Sequence, residues 1–278
     1  MKHIETNWKS SDDLEIYAQG WIPDKKMPRA VVCLVHGIGE HTLRYHGLAE
    51  TLAGEGFILF GADMRGHGKS EGKRGHFPSI ELIHSDIKKV ITTASDLFPG
   101  LPLFLYGHSL GGILVLHYCL NSTPEVKGII STSPGLHNAL EKQPVKVMAA
   151  KLLGSLFPGL TISSGLDPKN LSRDKRVVED YKKDPLVHDK MSMGFGKIML
   201  GVNSATLTQA VRFSLPLLLM HGENDMVAFP SGSIEFAAPL GDSCTLILWK
   251  NGWHELHNEP IREDVLKTMV RWMENRLS

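Results

Sequence analysis

Three cysteines in 278 residues are too few and too irregularly spaced to frame a disulfide scaffold. Cys33, Cys119 and Cys244 each fall in an apolar stretch, where a thiol serves as a small hydrophobe. An odd number of thiols suits a reducing compartment. Excess charge is also missing. Thirty Lys and Arg balance 30 Asp and Glu, so no basic surplus argues for a nucleic-acid partner. No apolar run reaches membrane-spanning length. The opening Met1-Lys2-His3-Ile4-Glu5-Thr6 is too polar for a secretory signal, so the expected location is cytoplasmic. Internal repeats and low-complexity tracts are absent. What remains is a chain with 42% hydrophobic residues, long enough for one large core or two small domains.

Apolar stretches alternate with helical ones. Residues 14–22 alternate in polarity and suit an antiparallel hairpin at the start of the chain. Residues 30–35, 57–62, 103–106, 126–132, 215–220 and 244–249 are near-continuous apolar runs, as in strands covered on both faces. Residues 44–54, 79–98, 110–120 and 233–238 have helical composition. A last helix over 260–277 places Ile261, Val265, Met269, Trp272 and Met273 on one face, with Pro260 suited to its first turn. This alternation predicts an α/β fold with a mostly parallel, doubly wound sheet. From about residue 136 to 213 no convincing strand occurs. Helical patterns at 145–157, 173–181 and 191–202 flank a loop rich in Gly, Ser and Pro. The expected organisation is a core of residues 1–135 and 214–278 with a helical cap, or lid, of residues 136–213. The cap is inserted before the strand that leads to Asp225, over the ligand crevice at the carboxyl ends of the strands.

The motif that carries chemistry is Gly107-His108-Ser109-Leu110-Gly111, a G-x-S-x-G run. A short apolar strand precedes it and a packed helix follows, which is the context that gives the pattern meaning. The turn is so tight that small residues must flank its strained centre. Serine is a weak nucleophile without a base and an orienting acid. Asp225 lies in a polar turn after residues 217–220, with Glu223 and Asp242 as rival acids. His254 follows residues 244–249, with His257 as its rival. The order Ser109, Asp225, His254 is the chain order of the α/β-hydrolase triad. Ser109 would attack an acyl carbonyl, His254 would shuttle the proton, and Asp225 would hold the imidazole. The backbone N–H groups of Leu110 and Ile38 are the candidate oxyanion donors, worth about 3 kcal/mol each.

Several motifs occur together and in order: His36-Gly37-Ile38-Gly39-Glu40-His41, Asp63-Met64-Arg65-Gly66-His67-Gly68-Lys69-Ser70, the Ser109 motif, Asp184-Pro185-Leu186, the Asp225 turn and Gly252-Trp253-His254-Glu255-Leu256-His257. Nearly end to end, the chain resembles the monoacylglycerol lipases and related lysophospholipases of the α/β-hydrolase superfamily. The resemblance implies that fold with a helical cap, puts His254 ahead of His257 as the base, and implies a serine esterase without cofactor. Its reaction would be cleavage of monoacylglycerols to fatty acid and glycerol; lysophospholipase or broad carboxylesterase activity is the alternative. The resemblance also assigns the glycerol hydroxyls to Glu40, Arg44 and His257, a mixture of acceptors and donors. Ile38 stands where smaller residues are common in these lipases and would narrow the alcohol pocket. The partner expected is a small lipid ester, with the cap touching membrane or micelle through residues 145–157.

Other readings fail on the residues. His254-Glu255-Leu256-His257 is not H-E-x-x-H, and no carboxylate or cysteine cluster joins it, so zinc is not expected. A phosphate loop ending at Gly68-Lys69-Ser70 would need glycine at Asp63, and a dinucleotide loop starting at Gly37 would need glycine at Thr42. A binding protein on this fold would lose triad members, and all three are present. Epoxide hydrolases and dehalogenases use a carboxylate where Ser109 stands.

Overall fold

The structure, a computed structural model, describes residues 1–139 and 143–277. Leu140, Glu141 and Lys142, within the expected cap, and Ser278 lie outside the described residues. An antiparallel hairpin of β1 (Lys2–Lys9) and β2 (Glu15–Ile22) opens the chain. Strands and helices then alternate: β3 (Ala30–Val35), α1 (His46–Gly54), β4 (Phe57–Ala62), α2 (Ile80–Leu97), β5 (Leu103–His108), α3 (Leu110–Asn121) and β6 (Gly128–Thr132). Next come β7 (His137–Asn138), α4 (Pro144–Leu156), β8 (Thr161–Ser163), α5 (Lys175–Lys183), β9 (Lys190–Ser192) and α6 (Met193–Thr208). The chain closes with β10 (Leu217–Gly222), β11 (Ala228–Phe229), α7 (Pro230–Ala237), β12 (Cys244–Trp249) and α8 (Arg262–Glu274).

Eight strands form one sheet in the order β1-β2-β4-β3-β5-β6-β10-β12. Only the β1–β2 and β2–β4 pairs are antiparallel; the rest are parallel, as the sequence predicts. Every residue of β3, β4, β5 and β10 is buried, because helices cover both faces. Alternation divides the core in two. Val31, Cys33 and Val35 pack with Ile87 and Val115 of α2 and α3, whereas Val32 and Leu34 pack with Leu52 and Met269 of α1 and α8. Each fully buried aliphatic side chain contributes about 1.5–3 kcal/mol. Ser79 caps α2 by accepting from the Leu82 N–H, and Ile83, Ile87, Val90, Ile91 and Ala94 give that helix one buried face.

Three expectations need correction. The opening hairpin has a partner strand, β1, that the sequence reading missed; its burial pattern alternates and it contributes little continuous apolar signal. The segment between β6 and β10 does contain strands, β7, β8 and β9, each of two or three residues and too short to leave a periodicity. Arg44 is not in α1 but in a 3₁₀ turn over Thr42–Tyr45 that precedes it. All three cysteines are free; burial pushes the Cys33 thiol up to about 12 and the Cys244 thiol up to about 11.

Candidate active site

Ser109 is the single residue between β5 and α3, at φ 55° and ψ −114°. A non-glycine residue there stores about 1–3 kcal/mol of strain. The flanking glycines make the turn fit. A Cβ at Gly107 would lie 2.3 Å from the Gly111 carbonyl oxygen, and one at Gly111 would lie 2.0 Å from that of Val35. The N-terminus of α3 therefore rests on the end of β3 with no space for a methyl group. The Ser109 N–H donates to the Thr132 carbonyl at 2.9 Å, which fixes the turn against β6.

The three residues read as a triad come together. Ser109 Oγ lies 2.8 Å from His254 Nε2, and His254 Nδ1 lies 2.7 Å from Asp225 Oδ2. The other oxygen of Asp225 accepts from the N–H groups of Val227 at 2.8 Å and Ala228 at 3.0 Å. Glu223 and Asp242, the rival acids, are exposed. Burial alone would raise the Asp225 pKa. The charge of His254 and hydrogen bonds from His221 and His254 outweigh it, so the carboxyl is held well below its usual range. For His254, burial opposes the imidazolium, but the Asp225 charge and hydrogen bond, with Glu255 and Glu40, lift it above the ordinary histidine value.

A pH dependence follows. The base must be neutral to accept the serine proton, and a raised pKa keeps it protonated to higher pH. The acid limb of kcat/KM on an ester is expected to fall above the ordinary histidine value of 6.5. A limb at or below that value in a pH–rate profile would show that the Asp225 charge does not govern His254.

Ile38 follows the end of β3 and lines the same cavity as Ser109 and Leu110. Among the described residues, neither its N–H nor that of Leu110 donates to a backbone carbonyl outside the helix ladder, and Leu110 is the first residue of α3. Both donors are thus available to an oxyanion. Glu40, Arg44 and His257 are brought together, but none of them lines that cavity. Glu40 Oε1 accepts from the Gly37 N–H at 2.6 Å and the Tyr45 hydroxyl at 2.7 Å. Arg44 donates to Glu40 Oε2 at 3.2 Å and, through Nη2, to both oxygens of Glu255 at 2.6 and 2.8 Å. His257 stacks on Tyr45 with ring centroids 4.6 Å apart. Both its ring nitrogens are buried without a hydrogen-bond partner among the described residues, and burial lowers its pKa to about 3.

The cavity above Ser109 measures ≈ 490 Å³. Ile113, Leu136, Val147, Leu166, Phe195, Met199 and Leu207 supply most of its apolar wall, so the segment between β6 and β10 forms much of it. Two residues near the triad escaped sequence reading. His221, at the end of β10, has Nε2 3.2 Å from Asp225 Oδ2 and Nδ1 2.7 Å from Ser233 Oγ. Ser133, at φ 45°, donates its hydroxyl to the His254 carbonyl at 2.8 Å. A polar residue at the carboxyl end of an apolar strand was the available signal for both. Among the described residues, no group of three or more His, Cys, Asp or Glu is placed to hold a metal ion.

A serine elbow after one parallel strand, an acid after another and a histidine after the last define a serine hydrolase on the α/β-hydrolase fold. Residues 26–261 match the family described as serine aminopeptidase, S33, and the chain belongs to that family. A monoacylglycerol lipase of Mycolicibacterium smegmatis is 33% identical over 92% of this chain and 92% of its own length. An uncharacterised abhydrolase domain-containing protein of Dictyostelium discoideum is 39% identical over 98% of this chain, which spans 29% of that protein's length. The crystal structure of Paleococcus ferrophilus monoacylglycerol lipase has the same fold, with a TM-score of 0.83 and 34% identity over 99% of this chain and 100% of that one.

Proposed function

We propose that this chain hydrolyses monoacylglycerols to fatty acid and glycerol through an acyl-enzyme. The observation that carries this reading is the Ser109–His254–Asp225 hydrogen-bond chain at an apolar cavity of ≈ 490 Å³. That volume is within the range of about 300–1,000 Å³ for small-molecule sites. The acyl chain lies against Ile113, Leu136, Phe195 and Met199. Ser109 Oγ attacks the ester carbonyl as His254 Nε2 takes its proton. The carbonyl oxygen becomes an oxyanion held by the N–H groups of Ile38 and Leu110. The intermediate collapses as His254 gives the proton to the departing glycerol oxygen. Water, deprotonated by His254, then attacks the acyl-serine, and the second collapse returns the proton to Ser109 and releases the fatty acid.

On the alcohol side the three residues implied by resemblance differ in what they have left to give. Glu40 and Arg44 are occupied by protein partners, so they shape the pocket from behind. Among the described residues neither ring nitrogen of His257 has a protein partner, but both are buried behind the cavity wall, so His257 would meet a glycerol hydroxyl only after a shift that opens its ring to the cavity. The buried carboxylates of Glu40 and Glu255 make this side a poor host for a phosphate. In a panel of 1-monoacylglycerol and lysophosphatidylcholine of equal chain length, kcat/KM is expected to favour the glyceride by about tenfold or more, equivalent to at least about 1.4 kcal/mol. Equal or faster turnover of the lysophospholipid would overturn the assignment.

Residues 136–213 act as a cap in this reading. Met148, Leu152 and Leu156 stand at i, i+4 and i+8 on α4 and are exposed, as are Phe157 and Leu160 beyond it. Such a stripe on the wall of a lipid cavity suits peripheral contact with a membrane or micelle. No helix among the described residues is long and apolar enough to cross a membrane.

A further inference from the structure

The loop that carries Ile38 and the loop that carries His254 must hold a fixed separation, because one binds the oxyanion while the other moves the proton. Hydrogen bonds within either loop cannot set that separation. Tyr45 bridges them by packing, its hydroxyl on Glu40 and its ring on His257; the charged bridge is Arg44, whose side chain is only 8% exposed. Its Nε donates to Glu40, two residues after Ile38, and its Nη2 donates to both oxygens of Glu255, next to His254. Both carboxylates are anchored. Glu40 Oε1 accepts from the Gly37 N–H in the oxyanion turn, and the Glu255 N–H and the Asn258 side chain tie down the other end, to Leu171 and to Glu255 Oε2 respectively. The guanidinium also lies over the Tyr181 ring, 4.6 Å from its centroid. Where Arg44 does reach the surface, it lines a cleft with His41, Asp180 and Asp184 that shares no residue with the Ser109 cavity.

We propose that Arg44 is a positioning residue, which through Glu40 and Glu255 holds the oxyanion loop and the His254 loop at their working distance. The assignment rests on the esterase reading above. It differs from a glycerol contact in what it requires of the substrate. A strut between two loops matters for every ester, including one whose alcohol offers Arg44 nothing to bind. A glycerol contact matters only for glycerides. The electrostatics give a second, independent mark. His254 is faced by Asp225 from the turn after β10, His108 from β5, His257 and Glu255 from its own loop, and Glu40 from the oxyanion loop. Arg44 offsets the last two charges. Arg44→Gln leaves the carboxylates uncompensated and favours the imidazolium, so the acid limb moves to higher pH. Glu255→Gln removes one negative charge and moves the limb to lower pH.

The test is steady-state kinetics of wild type, Arg44→Gln, Glu255→Gln and the double variant on 1-monoacylglycerol and 4-nitrophenyl butyrate, with full pH profiles. Arg44→Gln is expected to lose about 10- to 100-fold in kcat on both esters, with KM nearly unchanged. The two single variants shift the acid limb in opposite directions. The double variant returns it toward wild type and loses less than the product of the single losses. A rise in KM confined to the monoacylglycerol, with nitrophenyl turnover intact, would overturn the proposal in favour of an alcohol contact. A limb that stays fixed in both single variants would overturn it too. Should Arg44→Gln fail to fold, Glu255→Gln carries the comparison on both esters and the pH profile, because it keeps Arg44 on Glu40 and removes one charged end of the strut. Failure of the esterase reading shows instead as a folded wild type inactive on both esters.

Discussion

Ser109→Ala is expected to lower kcat by about 10⁶-fold on monoacylglycerol and nitrophenyl ester alike. The loss is large because no other hydroxyl can replace the one 2.8 Å from His254 Nε2. It is not expected to be total, because the Ile38 and Leu110 N–H groups, the proposed oxyanion donors, would still polarise a bound ester for attack by water. KM should change little, since the hydroxyl adds almost nothing to the apolar wall that holds the acyl chain. Stability should also change little. Alanine inherits the same φ of 55°, so the strain of the turn remains. Matched melting curves and steady-state kinetics check both halves. Retained turnover of both esters would place the chemistry at another residue.

Gly111→Ala is expected to have the largest effect on stability. The added methyl would meet the Val35 carbonyl oxygen at 2.0 Å and the His36 carbonyl oxygen at 2.6 Å. These are backbone atoms of the strand end that leads into the oxyanion turn, so they cannot swing aside as a side chain would. The helix must lift from the sheet, at a cost of about 3 kcal/mol or more. For a chain of this size that corresponds to a fall of about 10 °C in Tm. The lift also separates the Leu110 N–H from the Ile38 N–H, and a shift of about 1 Å is enough to lose roughly 10²-fold in kcat. Gly201→Ala, in the open interior of α6, is the control. Nothing lies within 4 Å of its added Cβ, so stability should rise by about 0.5–1 kcal/mol. Equal Tm values for the two alanine variants would show that the elbow has more space than its geometry implies.

The core of the fold was legible because β3, β4, β5 and β10 are buried on both faces and therefore read as unbroken apolar runs. The elbow was legible for a different reason: a strand, a glycine-flanked serine and a helix can be recognised locally. The β1 strand was not, because its alternating burial leaves mostly polar residues in Lys2–Lys9. His254 and His257 could not be separated by spacing, since both follow β12 in one loop. The resemblance ranked them, and the folded chain gives the physical distinction: one ring reaches Ser109 and the other stacks on Tyr45. Glu40 and Arg44 were singled out by the resemblance alone, and their partner Glu255 is 211 positions from Arg44, beyond the reach of any local pattern. His221 is only four residues from Asp225, and its place at the polar end of an apolar strand was a local signal that went unused. Its role at Asp225 depends on a turn that brings the chain back on itself.

The central claim is that the acyl group passes through the oxygen of Ser109, and mapping of a long-chain fluorophosphonate adduct by mass spectrometry tests it most directly. A single adduct on the peptide carrying Ser109, slowed by added monoacylglycerol and absent from Ser109→Ala, is the predicted result. An adduct at another residue, or an active enzyme that the probe leaves unmodified, would contradict it.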